Sequence, residues 1–245
     1  MLHIVYGGSA SGKSSYAESF AMSLQGDGRL LYIATMYPYK WSTTEIDPET
    51  MQRINRHRAM RADKGFDTVE CYRHVEHIVA KRQDVLLLEC MSNLLANEMY
   101  LEPENDDGRL AEPHAEAQPM SEVEKAGTDC NAGSDVEKTG VAGNVGSDVE
   151  KTGIAGEAGF EMSKTMSPVS KKIVQALVDL SARVQELVIV TNDVFSDGGS
   201  LTYDESTREY VKNLAEINCA LAREAANVTE IVCGIPVKIK GDKQP

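Results

Sequence analysis

Long apolar runs are missing from this chain. No stretch approaches the ~20 residues that a bilayer crossing requires, which excludes a membrane-spanning helix. A basic and apolar leader is missing too. The first residues run directly into Leu2-His3-Ile4-Val5-Tyr6, a strand-like segment, so a cytoplasmic location is expected. Cysteine is sparse: Cys71, Cys90, Cys130, Cys219 and Cys233 are odd in number and never stand in C-x-x-C spacing. That argues against a disulfide framework or a zinc site and fits reduced thiols. Cys90, beside a strand end, reads as a small core residue rather than a nucleophile. Basic charge is also short. With 25 Lys and Arg against 38 Asp and Glu the net charge is −13, which argues against nucleic acid as a partner.

The acidity is local. Residues 102–165 hold 15 acidic and 5 basic side chains, a net of −10, leaving −3 for everything else. Residues 103–165 contain one aromatic residue, Phe160, and repeat at a 13-residue period beginning at Ser121, Ser134 and Ser147. Each unit offers one to three Val and at most one Ile for burial, too little apolar surface to offset the entropy of ordering. The segment 102–167 is therefore expected to be a disordered acidic insertion. An acidic docking tail is the other reading. Replacing residues 103–165 by a short Gly/Ser linker should leave the thermal midpoint and turnover nearly unchanged. A large fall in either would show that the segment packs or participates.

What is present is more specific. Gly7-Gly8-Ser9-Ala10-Ser11-Gly12-Lys13-Ser14 is a complete G-x4-G-K-S phosphate loop, preceded by an apolar strand and followed by a helix-forming run. Its glycines let backbone N–H groups face phosphate oxygens at a helix N-terminus. Lys13 would reach the β- and γ-phosphates, and Ser14 would ligand Mg2+. Outside the insertion, strands are expected at 30–34, 67–71, 85–89, 187–191 and 228–233, and helices at 48–62, 73–82, 91–100, 168–185 and 204–226. This alternation predicts one α/β domain, 1–101 with 168–245, of the phosphate-loop (RecA-like) type. A mostly parallel sheet would carry helices on both faces and ligands at the carboxyl ends of its strands.

A second constellation lies on the expected helix after Asp47-Pro48. Arg53, His57 and Arg61 are spaced i, i+4 and i+8, and Arg56 and Arg58 flank the histidine. Like charges favour neutral imidazole, a nucleophile, and arginines attract phosphate oxygens. Attack on phosphorus to give a phosphoramidate is one reading; a solvated basic face is the other. His74 and His77, i and i+3 on an expected helix, have no acidic neighbours in metal spacing.

The loop, the R-I-x-x-H-R helix and the strand end Thr191-Asn192-Asp193-Val194, in that order, resemble the bifunctional adenosylcobinamide kinase/adenosylcobinamide-phosphate guanylyltransferase family of cobalamin biosynthesis. Stretches 31–35, 67–70 and 86–90 match its next strands, Asn97 a following helix, and Arg208, Asn218 and Gly234-Ile235-Pro236 its closing helix and tail. The resemblance implies that Gly7, Gly8, Ser9, Ala10, Ser11, Gly12, Lys13 and Ser14 hold the triphosphate. It implies that Ala34, Thr35 and Met36 line the nucleotide site and that His57 becomes guanylylated. Arg58, Ala59, Met60 and Arg61 would contact nucleotide beside it, and Glu70 and Glu89 would hold guanosine.

A carboxylate can accept two hydrogen bonds from guanine N1–H and its N2 amino group, which adenine cannot offer. Glu89 could instead orient Mg2+, and Glu70 could be a salt-bridge partner. The family phosphorylates adenosylcobinamide, with GTP and ATP as nucleotide substrates, then passes GMP from histidine to the new phosphate. Its members form trimers or larger homo-oligomers. A plain small-molecule kinase and a nucleotide-dependent switch are the rival readings. The chain departs from the family's Asn-Glu-Val-Gly: Asp193 keeps the charge on a shorter arm, and Phe195 replaces glycine. These changes are expected around the corrinoid rather than the nucleotide.

Overall fold

Strand β1 (Leu2–Gly7) leads through the phosphate loop into helix α1 (Lys13–Leu24) and strand β2 (Leu30–Ala34). Helix α2 (Pro48–Arg61) and strand β3 (Phe66–Glu70) follow, then β4 (Val85–Glu89), α3 (Met91–Tyr100) and α4 (Pro168–Arg183). Strand β5 (Glu186–Asn192), helix α5 (Glu205–Glu224) and strands β6 (Asn227–Val232) and β7 (Ile235–Lys240) complete the order. The computed structural model describes residues 1–40, 43, 45–101, 166–193 and 203–241. The acidic insertion, with His114 and Cys130, lies outside the described residues, as do Val194, Phe195 and the Ser196–Ser200 stretch.

The seven strands form one sheet in the order β3-β2-β4-β5-β1-β6-β7. The first five neighbouring pairs are parallel, and only β6 with β7 is antiparallel. Strands buried on both faces read as continuous apolar runs, as Val85-Leu86-Leu87-Leu88 does. Alternate side chains then feed two cores. Leu31, Ile33, Leu86, Leu88, Leu187 and Ile189 pack with Leu94 and Leu95 of α3, Ile173 and Leu177 of α4, and Ile217 and Leu221 of α5. On the other face Tyr32, Leu87, Val188 and Val190 pack with Ala17 and Ala21 of α1. This is the expected α/β architecture, with helices on both faces.

Caps account for several helix starts. Asp47 accepts from the Thr50 N–H with Pro48 behind it, Ser167 accepts from Ser170, and Asp204 accepts from Thr207. Helix α2 differs from the others in its anchoring, because its one buried residue is Arg61.

Two expectations are corrected. Residues 73–82 do not form a helix; they hold only a single 3-10 turn, Val75–His77. His74 takes a left-handed backbone conformation and gives its N–H to a Glu98 carboxylate oxygen at 2.8 Å, which removes it from a helical ladder. The His74 and His77 rings stack at 5.6 Å. The second correction is β7, expected as a tail. Pro236 argues against a central strand, but β7 is an edge strand, where proline is tolerated. The Cys233-Gly234 turn that joins it to β6 has positive φ at both residues, the geometry of a two-residue hairpin turn.

Asp84 fastens the amino end of β4 to that of β2. It is fully buried and accepts from the Arg29 backbone N–H, the Arg29 guanidinium and the Lys81 N–H. Burial pushes its carboxyl upward, but these donors outweigh burial and hold it below the ordinary carboxylate range. Asp84→Ala leaves a partly buried guanidinium without its partner and should cost about 3 kcal/mol. A depressed folded-state value means the stabilisation is full above the unfolded-state value and is lost as pH falls through the folded one. Urea midpoints of wild type and variant should therefore differ at neutral pH and converge in strong acid.

Candidate active site

The carboxyl ends of β2, β3, β4 and β5 and the face of α2 enclose a cavity of about 290 Å³. At one end stands the phosphate loop. Gly7 is required there by a close approach, because a Cβ would lie 2.6 Å from the Ile231 carbonyl oxygen. Gly12 has φ 91°, a left-handed conformation that glycine adopts freely as it opens α1. The loop is braced from outside by the β6–β7 turn, whose Gly234 N–H donates to the Ser11 carbonyl at 2.8 Å.

Lys13 is buried, and its ammonium donates to the Gly8 carbonyl at 2.9 Å. Burial lowers its pKa, while the nearby Cys90 and Glu89 pull it back up. Ser14 donates its hydroxyl to Glu89 Oε1, and Glu89 Oε2 is buried with no hydrogen-bond partner among the described residues. A hydroxyl and a carboxylate with a spare oxygen form a hard donor set that fits Mg2+.

Helix α2 brings Arg53, His57, Arg58 and Arg61 to the cavity, along one helical face. The arginines do not simply ring the imidazole. Arg53 holds Glu49 at 2.6 Å, and Arg58 donates to Glu70. The Arg61 guanidinium lies 3.4 Å above the Tyr32 ring, a cation–π contact. Burial lowers the pKa of Arg61, opposed by Tyr32, Glu18 and Glu89. His57 Nδ1, Arg61 Nε and Arg61 Nη1 are buried without partners among the described residues. Each buried unpaired polar group costs about 1–3 kcal/mol, so their gathering with Glu89 Oε2 around one cavity points to a polar ligand.

Glu70 accepts from Arg58 on one oxygen and from the Tyr72 hydroxyl on the other, at 2.8 Å. The Arg58–Glu70 pair is half exposed and worth about 0.2–1 kcal/mol, so a ligand could displace it.

Of the expected site residues, the cavity gathers Ser9, Lys13, Ser14, Ala34, Met36, His57, Arg58, Arg61, Glu70 and Glu89. Gly7, Gly8, Ala10, Ser11 and Gly12 belong to the phosphate loop but are not among the lining residues, and three more fall elsewhere. Thr35 is fully buried, and its hydroxyl donates to the Cys90 carbonyl and accepts from the Cys90 N–H, joining the ends of β2 and β4. Ala59 and Met60 are exposed on α2 and are not among the residues that line the cavity. Asn97 is a clamp whose amide donates to the Thr35 and Tyr72 carbonyls. Asn192 lines the cavity and donates to the Ser92 hydroxyl at 2.7 Å, while the Asp193 N–H donates to the Gly7 carbonyl. Asn192 and Asp193 thus stand beside the phosphate loop.

Tyr32, Thr68 and Tyr72 were not foreseen as cavity residues. The signal for the first two is the two-residue period of a strand, which puts Tyr32 on the face of Ala34 and Thr68 on that of Glu70; Tyr72 lies just past the end of β3.

A phosphate loop and a histidine on an arginine-rich helix share one cavity. The family model described as cobinamide kinase/cobinamide phosphate guanyltransferase matches residues 3–239. The chain belongs to this family. It is similar to the bifunctional adenosylcobalamin biosynthesis protein CobU of Salmonella typhimurium, 35% identical over 111 residues, covering 43% of this chain and 55% of that protein. The protein of the same name from Escherichia coli is 34% identical over 104 residues, covering 41% and 51%. The chain thus spans about half the length of the curated relatives it matches. Among the described residues no helix is long and apolar enough to cross a membrane.

Proposed function

We propose that this member of the cobinamide kinase/cobinamide phosphate guanyltransferase family carries out both reactions of its family name in this one cavity. It would phosphorylate the hydroxyl of adenosylcobinamide from a nucleoside triphosphate. It would then move GMP from GTP, through His57, onto the new phosphate. The observation that carries the reading is the sharing of one cavity by Lys13, Ser14 and His57.

In the first reaction the substrate hydroxyl attacks the γ-phosphorus and the nucleoside diphosphate leaves, with Lys13 neutralising charge between the β- and γ-phosphates. Ser14 and Glu89 would hold Mg2+, which when bound offsets the charge of the same oxygens. In the second reaction Nε2 of His57 attacks the α-phosphorus of GTP, since Nδ1 is buried. The N–P bond forms as the bond to the bridging oxygen breaks, and pyrophosphate leaves with the electron pair. Arg58 and Arg61 would balance charge on the phosphate oxygens. A phosphate oxygen of adenosylcobinamide phosphate then attacks the same phosphorus, and the N–P electron pair returns to the imidazole. Glu70, released from Arg58, would accept from guanine. Domain 1–101 with 168–245 would carry all of this, in a homo-oligomer.

The test is incubation with GTP radiolabelled at the α-phosphate. A protein-bound label lost in acid and retained in base is expected of a phosphoramidate. Phosphoryl transfer to cobinamide without any protein-bound label would leave a plain kinase instead.

A further inference from the structure

A second cavity, of about 430 Å³, opens beside the first and shares Met36, Arg53 and Asn93 with it. The segment after β2 forms one wall. Its Pro38 carbonyl accepts from the Asp47 N–H and its Lys40 N–H donates to the Glu45 carbonyl, both at 2.9 Å, so the segment is tied to the cap of α2. Helix α3 forms the opposite wall with Asn93 and Ala96.

The chemistry of this second cavity differs from that of the first. Tyr37 packs edge-to-face on Tyr39 and on Tyr72, each at 5.3 Å, making an aromatic cluster with polar tips. Tyr72 reaches on to Glu70 in the first cavity. Lys40, paired with Glu45 at 2.7 Å, and Arg53, paired with Glu49 at 2.6 Å, are its cations, Asp47 adds a carboxylate, and Arg53 stands one helical turn before His57 where the cavities join.

We propose that this tyrosine-walled cavity is the acceptor subsite, taking the arm of the acceptor that carries the reacting hydroxyl and later the phosphate. The inference rests on the guanylyl-transfer reading above. A nucleotide reaching from the phosphate loop to Glu70 fills the first cavity, so the acceptor must approach His57 from another side. The junction at Arg53 supplies that side together with a cation for the acceptor phosphate. Aromatic faces with the Asn93 amide and the Arg53 guanidinium suit an amide-bearing, partly apolar acceptor. A cavity of this size holds an arm and leaves the corrin ring outside.

The experiment separates the two halves of the reaction. Wild type, Tyr39→Ala, Ala96→Phe and the conservative Ala96→Ser are first charged with labelled GTP alone. All four should acquire the acid-labile guanylyl group to a similar extent, which also shows that they fold. Each is then discharged with cobinamide phosphate. Tyr39→Ala and Ala96→Phe should need about tenfold more acceptor for half-maximal discharge, and Ala96→Ser should behave as wild type. Normal discharge by both variants overturns the subsite alone. Failure of wild type to acquire the label overturns the guanylyl-transfer reading and the subsite with it.

Discussion

His57→Ala should reduce covalent guanylylation by at least about 10³-fold while GTP binding survives. The two effects separate because different elements supply them. On the proposed reading the phosphorus–nitrogen bond needs the imidazole, and among the described residues no other histidine lines the cavity. On the same reading, affinity for the triphosphate would rest on Lys13, the loop backbone and the arginines, all untouched by the change. Loss of one neutral hydrogen bond from the ring is worth about 1 kcal/mol, roughly fivefold in Kd. Kinase turnover should persist as well, since γ-phosphoryl transfer depends on positioning and charge neutralisation at the loop. Acid-labile label per protein, read beside calorimetric GTP binding, decides it. If the variant still forms the adduct, the nucleophile is another residue.

Lys13→Ala should do the reverse, removing binding and with it both reactions. The Lys13 ammonium is buried at the mouth of the loop, so the β- and γ-phosphate charge would be left unneutralised in a site of low polarity. Truncating one partner of a desolvated charge pair costs about 2–5 kcal/mol, on the order of 30-fold or more in affinity. The fold itself should not suffer, because removing a buried cation also removes its desolvation cost. A lower GTP affinity by calorimetry with an unchanged or raised thermal midpoint is the expected pair of results. Unchanged affinity would remove the loop from the site.

The fold was largely legible because its elements are written locally. The apolar runs of β2 and β4, the Asp47-Pro48 start of α2 and the glycine loop each signal themselves within a few residues. What escaped depends on contacts distant in sequence. Residues 73–82 contain enough apolar positions for a helix, yet Glu98 of α3 takes the His74 N–H and holds the backbone out of one. The hairpin strand β7 was hidden by Pro236, whose tolerance depends on its being at the edge. In the site, the spacing of Arg53, His57 and Arg61 correctly placed all three on one face. It did not reveal that Arg58 would meet the Glu70 carboxylate and Arg61 a phenol ring. Partners from other strands are invisible to spacing on a helix.

The brace between Gly234 and Ser11 joins residues more than 220 positions apart, close to the two ends of the described chain. A ribosome releases the phosphate loop more than 220 residues before the turn that buttresses it. Nucleotide binding is therefore a late-maturing property of the chain. A nascent or prematurely terminated polypeptide can display the whole G-x4-G-K-S motif and still be a poor sink for cellular GTP.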